Sequence, residues 1–166
     1  KEEGVIGAIG GGCDSVAPLL AGLERDAFDT LLCAGRYTLL DRSASEYLIP
    51  LALEKRCAII VAGVFNSGVL ATGVAPGARF DYSAAPPEVL HRVAALELAC
   101  QQHGVALKAA ALQFPLRNPA VGTLFLGPAN LTELQDSLTH LAAAIPEAFW
   151  ADADAVAMAP AARPHT

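Results

Sequence analysis

The 166-residue chain holds 17 acidic and 11 basic residues, a net charge of −6, with no cationic run. Nucleic acid and anionic membrane surfaces are therefore excluded as partners, since both need clustered Lys or Arg. At 54% hydrophobic residues it can bury one substantial core, but no apolar run reaches the roughly 20 residues that span a bilayer, and no basic-then-apolar leader opens it. Cys13, Cys33, Cys57 and Cys100 show neither zinc nor disulfide spacing. The expectation is buried thiols, no metal, and a reducing, cytoplasmic setting.

"KEEG" (1–4) reads as the last turn of a helix stopped by Gly4. With no initiator Met, the chain is expected to begin inside a larger design. Four runs read as strands: "VIGAIG" (5–10), "DTLLCAG" (29–35), "CAIIVAGV" (57–64) and "AVGTLFLG" (120–127). Ile59, Ile60, Val61 and Ala62 are apolar without alternation, which suits a parallel strand covered on both faces. Helical patterns lie between the strands. "DSVAPLLAGLE" follows the first, and "SASEYLIPLALEKR" the second, with Pro50 a break or kink. "PPEVLHRVAALELACQQHG" follows the third, with Val89, Val93, Leu96 and Cys100 at helical spacing and Gly104 as its stop. "LKAAALQFPLR" is a second short helix before the fourth strand. "NLTELQDSLTHLAAA" follows that strand, with Asn130 and Glu133 spaced as a capping box. An extra helix from Ile145 and a flexible tail, 159–166, close the chain.

Strand and helix alternating four times means a parallel sheet of βα units. Two architectures compete, an open doubly wound sheet and a segment of a (βα)8 barrel. Both place ligands at the carboxyl ends of the strands, which here means the loops after Gly10, Gly35, Val64 and Gly127. "GGGCDS" lacks the third glycine of a dinucleotide fingerprint and reads as a flexible turn. Asp14 is either an N-cap or a group facing a ligand. Tyr37 would need a basic partner to act as a proton donor. Lys55 sits at the opposite rim and Lys108 on a helix, so Tyr37 is a packing or lining residue. His91, His103 and His140 are expected on helix surfaces, and His165 in the tail. The small-residue loop 63–73 offers backbone N–H groups to phosphate oxygens. "GPANLTEL" ends at a helix N-terminus, a natural anion site.

"GVIGAIG", "FDTLLCAGRYTLLDR", "AGVFNSGVLATG", "NPAVGTLFLGPANLTELQDSL" and "IPEAFW" occur in this order. Together they resemble the last four strands and closing helix of the aldo-keto reductase family, from Glu3 to about Asp154. The nearest branch is that of the D-threo-aldose 1-dehydrogenases, also called L-fucose dehydrogenases. The resemblance implies half of a (βα)8 TIM barrel: four parallel βα units plus a C-terminal helix, spanning 1–158. It implies a nicotinamide dinucleotide covered by Phe65, Asn66, Ser67, Gly68 and Leu70. Gly63 and Val64 would lie near the nicotinamide and Asp14 near its carboxamide, although Gly63 stands where many members place a stacking aromatic. Gly127, Ala129, Asn130, Glu133 and Ser137 match the adenosine contacts. The family's catalytic Asp, Tyr, Lys and His come from the first four strands and their loops, so no catalytic residue is assigned here.

The leading expectation is the cofactor-binding half of an aldose dehydrogenase or aldo-keto reductase. It would transfer hydride between the cofactor and a sugar C1 hydroxyl or carbonyl, and this chain alone would be inactive. NAD is expected over NADP, because Gly127 to His140 contains no Lys or Arg to hold a 2′-phosphate and Glu133 would repel one. Expected partners are the missing N-terminal half-barrel or a second copy of the chain. The rivals are a non-catalytic half-barrel serving binding or assembly, and an unrelated open nucleotide-binding sheet. Strand order separates barrel arc from open sheet.

Overall fold

The computed structural model describes Lys1 and residues 3–158; Glu2 and the 159–166 tail lie outside the described residues. The elements, in chain order, are β1 (Gly10–Cys13), α1 (Val16–Glu24), β2 (Thr30–Ala34), α2 (Leu48–Glu54), β3 (Ala58–Ala62), α3 (Val69–Thr72), β4 (Arg79–Phe80), β5 (Ser83–Ala84), α4 (Pro87–His103), α5 (Leu107–Gln113), β6 (Val121–Phe125), α6 (Leu131–Leu141) and α7 (Glu147–Met158). They form two compact units. Lys1–Val64 and Pro115–Gly127 make the first, and Phe65–Phe114 with the chain from Pro128 the second.

The first unit is a parallel sheet in the order β1-β2-β3-β6, its strands following one another in chain order with none reversed. Leu31 pairs with Ile59 and Cys33 with Val61, placing four fully buried side chains on one face. Against that side lie α1 and α2, which bury Leu19, Leu23, Leu48, Ile49 and Ala52. Each buried leucine contributes about 2 kcal/mol. The opposite face is only partly covered. Ile60 and Ala62 are half-buried, Ala58 is exposed, and Phe125 is 63% exposed. The absence of alternation in 59–62 predicts cover on both faces; in this unit Ile59 and Val61 are fully buried, while Ile60 and Ala62 on the other face are only half-buried.

The first strand is displaced from its predicted place. Val5 is 80% exposed, and the ladder begins only at Gly10, opposite Thr30. The register is set by Asp29, whose carboxylate accepts the Ile9 N–H at 2.8 Å while its own N–H donates to Ile9 O at 2.7 Å. "GGGC" is thus strand rather than flexible turn. Gly11 answers to packing, because a Cβ there would lie 2.7 Å from the Phe28 ring. At the chain start, Gly4 has φ +73 and its N–H returns to Lys1 O.

Helix α2 starts at Leu48, five residues later than the pattern suggests. Pro50 is its third residue, and a longer helix would drive the ring into a carbonyl four residues back. Residues 43–47 are turns instead, with Ser43 N–H and Oγ both donating to Asp41 Oδ1.

In the second unit, α4 buries Val89, Val93, Leu96 and Cys100, the face its spacing predicts, and ends at Gly104 with φ +64. That face meets α7, whose Phe149 is fully buried with its ring edge-on to His103 at 5.9 Å. Helix α5 buries Ala109, Ala110, Ala111 and Leu112 among α3, α4 and α6. Small side chains allow that close approach. The β4–β5 hairpin has no counterpart in the sequence reading, because its strands are two residues long.

Candidate functional site

In the first unit the parallel strands bring four loops to one edge of the sheet. Asp14 follows β1. It does not cap α1, whose N-cap is Ser15. Its carbonyl accepts from Arg36 Nε at 2.6 Å, and its carboxylate accepts from Cys13 Sγ at 3.8 Å. Arg36 Nη1 also reaches Asp41 Oδ2 at 3.0 Å, so one guanidinium ties the first loop to the second. The second loop is internally braced: the Thr38 hydroxyl is buried and accepts the Asp41 N–H at 2.9 Å. Tyr37 is 7% exposed, which makes it a packing residue.

Gly63 follows β3 with φ +65, and Gly35 N–H donates to Ala62 O beside it at 2.9 Å. The Val64 side chain is core. Gly127, after β6, is exposed with open space where a Cβ would be.

In the second unit, Asn66, Ser67 and Gly68 take φ of +45, +60 and +103, three left-handed residues in succession. Such backbone costs a non-glycine residue on the order of 1–2 kcal/mol and is characteristic of functional turns. The Phe65 carbonyl closes the turn by accepting from Gly68 N–H at 2.9 Å and Leu70 N–H at 3.1 Å. Asn66 and Leu70 are buried, so their side chains support the turn from below. Ser67 is exposed, and its Oγ accepts the Tyr82 N–H at 2.9 Å. A hydroxyl that accepts from one side can donate its own proton to an anionic oxygen on the other. Tyr82 sits at the hairpin tip, 80% exposed, with φ +62 beside Asp81 at +47. Two positive φ values are what a tight hairpin turn requires.

Helix α6 begins at the capping box. Glu133 N–H donates to Asn130 Oδ1 at 2.9 Å, while the Glu133 carboxylate accepts from Ala129 N–H at 2.8 Å and Asn130 Nδ2 at 3.1 Å. This changes the chemistry expected there. The cap takes the amide an anion would use and adds a carboxylate, so the helix start suits a hydroxyl donor better than a phosphate. Ser137 is 6% exposed and donates to Glu133 O at 2.8 Å. Farther along, Asp136 accepts a hydrogen bond from Lys108, which holds its carboxyl below the usual carboxylate range.

These residues fit a dinucleotide in kind: a left-handed turn with an outward hydroxyl suits a diphosphate, and an acceptor-rich helix start suits ribose. Lys108, Asp136 and Tyr82 are absent from the sequence reading of the site. Asp136 and His140 are four apart on one helix and detectable as a pair, with His140 Nδ1 at 3.3 Å from Asp136 Oδ1. Lys108 and Tyr82 act through contacts distant in sequence, and no local signal marks them. His140 and His103 are half-buried and paired rather than free surface residues, His103 with Asp152 at 2.7 Å. His91 is exposed as expected, and His165 lies outside the described residues.

Comparison with known proteins follows the same lines. The Aldo/keto reductase family profile matches residues 1–158. The chain belongs to this family. It is similar to a pyridoxal 4-dehydrogenase of Microbacterium luteolum, 37% identical over 90% of this chain and 44% of that one. It is similar also to a D-threo-aldose 1-dehydrogenase of a Pseudomonas species, 36% identical over 92% and 46%. The chain thus spans less than half the length of either relative. Its fold matches that of an aldo-keto reductase from Bacillus halodurans in its holo form, with TM-score 0.75 and 22% identity over 99% of this chain and 55% of that one. The apo form of the same enzyme gives 0.73. Among the described residues, no helix is long and apolar enough to cross a membrane.

Proposed function

We propose that this chain is the C-terminal, cofactor-gripping half of the (βα)8 barrel of a cytoplasmic nicotinamide-dependent oxidoreductase, which moves hydride between NAD and a sugar C1 hydroxyl or a carbonyl. The observation that carries the reading is the left-handed turn Asn66-Ser67-Gly68, four residues beyond the end of β3 in a sheet ordered without reversal. A doubly wound sheet would reverse at its ligand site. The names of the two relatives, one a pyridoxal and one an aldose dehydrogenase, support a hydroxyl or carbonyl as the reacting group.

The bound cofactor supplies the hydride chemistry. This chain's residues grip and orient it. The turn from Phe65 to Gly68, with Leu70 beneath it, would hold the diphosphate. Gly63 and Val64 would present backbone to the nicotinamide, and Asp14, braced by Arg36, would meet the carboxamide. Gly127, Ala129, Asn130, Glu133 and Ser137 would frame the adenosine. The family's acid–base residues belong to its first four strands, so the chain alone is assigned grip without turnover. The preference for NAD over NADP rests on the absence of Lys and Arg between Gly127 and His140. The Glu133 carboxylate, engaged in its cap, adds repulsion toward a 2′-phosphate.

The half-covered sheet face, with Phe125 63% exposed, supports a partner that completes it: an N-terminal half-barrel or a second copy of the chain. The same face is what favours the second reading, a non-catalytic binding or assembly module. Titrating the 166-residue chain with NADH and NADPH by nicotinamide fluorescence separates the two. Saturable binding with NADH preferred, and no turnover of a panel of aldoses, is expected. Binding of neither dinucleotide would favour the module, and aldose turnover by the chain alone would overturn the division of labour.

A further inference from the structure

One side chain in the second unit touches both segments to which the proposed function assigns cofactor contacts. Lys108, on α5, is largely buried, its side chain 19% exposed. Its ammonium donates to the Asp136 carboxylate on α6 and lies 5.5 Å from the centroid of the Phe65 ring. Phe65 opens the left-handed turn, and its carbonyl accepts from both Gly68 and Leu70. Asp136 stands one turn beyond Glu133 on the helix whose cap Glu133 completes. The helix itself is steadied against α5 by Gln113, whose Nε2 donates to His140 O at 3.0 Å and Ala143 O at 2.7 Å. Two opposite preferences therefore meet in one cation. The aromatic face attracts it from one side, and the carboxylate from the other.

We propose that Lys108 is a positioning residue that fixes the spacing between the Phe65–Gly68 turn and helix α6, and with it the fit of a dinucleotide gripped at both. The proposal rests on the reading that these segments hold the diphosphate and the adenosine of one nicotinamide dinucleotide. The physical reason is linkage. A ligand held at two points gains from its second contact only when the spacing of the points matches its own length. A nucleoside, which has no phosphate and meets one point, is indifferent to that spacing. Lys108 is not assigned contact with the cofactor.

The test compares ligands rather than activities. Kd values for NADH and for adenosine are measured on the full 166-residue chain and on Lys108→Met, which keeps the stem against Phe65 and removes the charge. In the unaltered chain NADH should bind about tenfold or more tightly than adenosine. In Lys108→Met that ratio should fall several-fold while the adenosine Kd changes less than about twofold, the coupling being of ordinary allosteric size. Lys108→Arg should restore it. A role confined to stability would weaken both ligands equally and leave the ratio unmoved, and that result would overturn the proposal. If Lys108→Met does not fold, Asp136→Asn carries the same comparison with the same overturning outcome. An unaltered chain that binds adenosine but shows no advantage for NADH would defeat the positioning role alone. A chain that binds neither would defeat the proposed function, and the positioning role with it.

Discussion

Gly63 is pressed against the backbone of Gly35. A Cβ at position 63 would stand 3.2 Å from the Gly35 nitrogen and 3.5 Å from its Cα, and φ at Gly63 is already +65. Close approach and left-handed backbone thus both demand glycine at the carboxyl end of β3. The first carbon of the stacking aromatic that the family resemblance leads one to expect there would press on the Gly35 nitrogen and sit on strained, left-handed backbone. Gly63→Ala should lower stability by about 1–2 kcal/mol through the backbone alone, read as a reduced urea midpoint with unchanged slope. Unaltered stability would mean that φ relaxes, and that the glycine is there for a ligand instead.

A second glycine is explained by packing. The Phe28 ring lies where a Cβ on Gly11 would sit, at 2.7 Å, and where one on Gly22 would sit, at 2.2 Å. Gly11→Ala should destabilise by about 1–3 kcal/mol, as overpacking does. Combined with Phe28→Leu, it should cost clearly less than the sum of the single changes, because the two share one space. Strict additivity in thermal melts would show that Gly11 is constrained by something other than Phe28.

Acid should expose the tie at β1. Asp29 is held below the ordinary aspartate range by its hydrogen bond from Lys1 and then by the Ile9 N–H. A depressed folded pKa gives stability that is fully present above the unfolded-state value and is lost as pH falls through the folded one. The unaltered chain should therefore lose more stability than Asp29→Asn on acidification below the ordinary aspartate value. Parallel denaturant titrations from neutral to acid pH check this. Equal slopes would remove Asp29 from the account of β1 register.

Thiol reactivity should follow burial. Burial pushes the Cys33 and Cys100 thiols up to about 11 and raises Cys57 as well, whereas Cys13 is partly exposed at the end of β1. Iodoacetamide at mildly alkaline pH should modify Cys13 first, with the other three reacting only on unfolding, since the thiolate is the nucleophile. Peptide mass mapping over time gives the order. Early labelling of Cys33 would mean that the sheet opens locally between β1 and β2.

The capping box can be tested apart from cofactor choice. Asn130→Ala should cost about 1 kcal/mol by leaving the Glu133 N–H without its side-chain acceptor. Because the carboxylate also repels a 2′-phosphate, Glu133→Gln should shift the NADH-to-NADPH affinity ratio toward NADPH. An unchanged ratio would reduce Glu133 to a cap.

What the sequence determined by itself is local. Apolar runs separated by helical periods specify four parallel strands, since side-chain alternation and helix spacing are properties of adjacent residues. Asn130 and Glu133 specify their cap, and Gly104 the end of α4, for the same reason. The sheet's order and the place where β1 begins were decided at longer range, by the pairing of distant strands, by Asp29 reaching Ile9 and by Phe28 filling the space beside Gly11, whereas the shortened α2 follows from the local clash of the Pro50 ring with the turn before it. The candidate site divides the same way. Its turn of small residues is visible in "FNSG", but the succession of left-handed φ values, the Tyr82 tie to Ser67 and the Lys108 bridge from Phe65 to Asp136 exist only once distant segments have packed. A side chain's partners across the fold are fixed by tertiary geometry, and no window of sequence contains them.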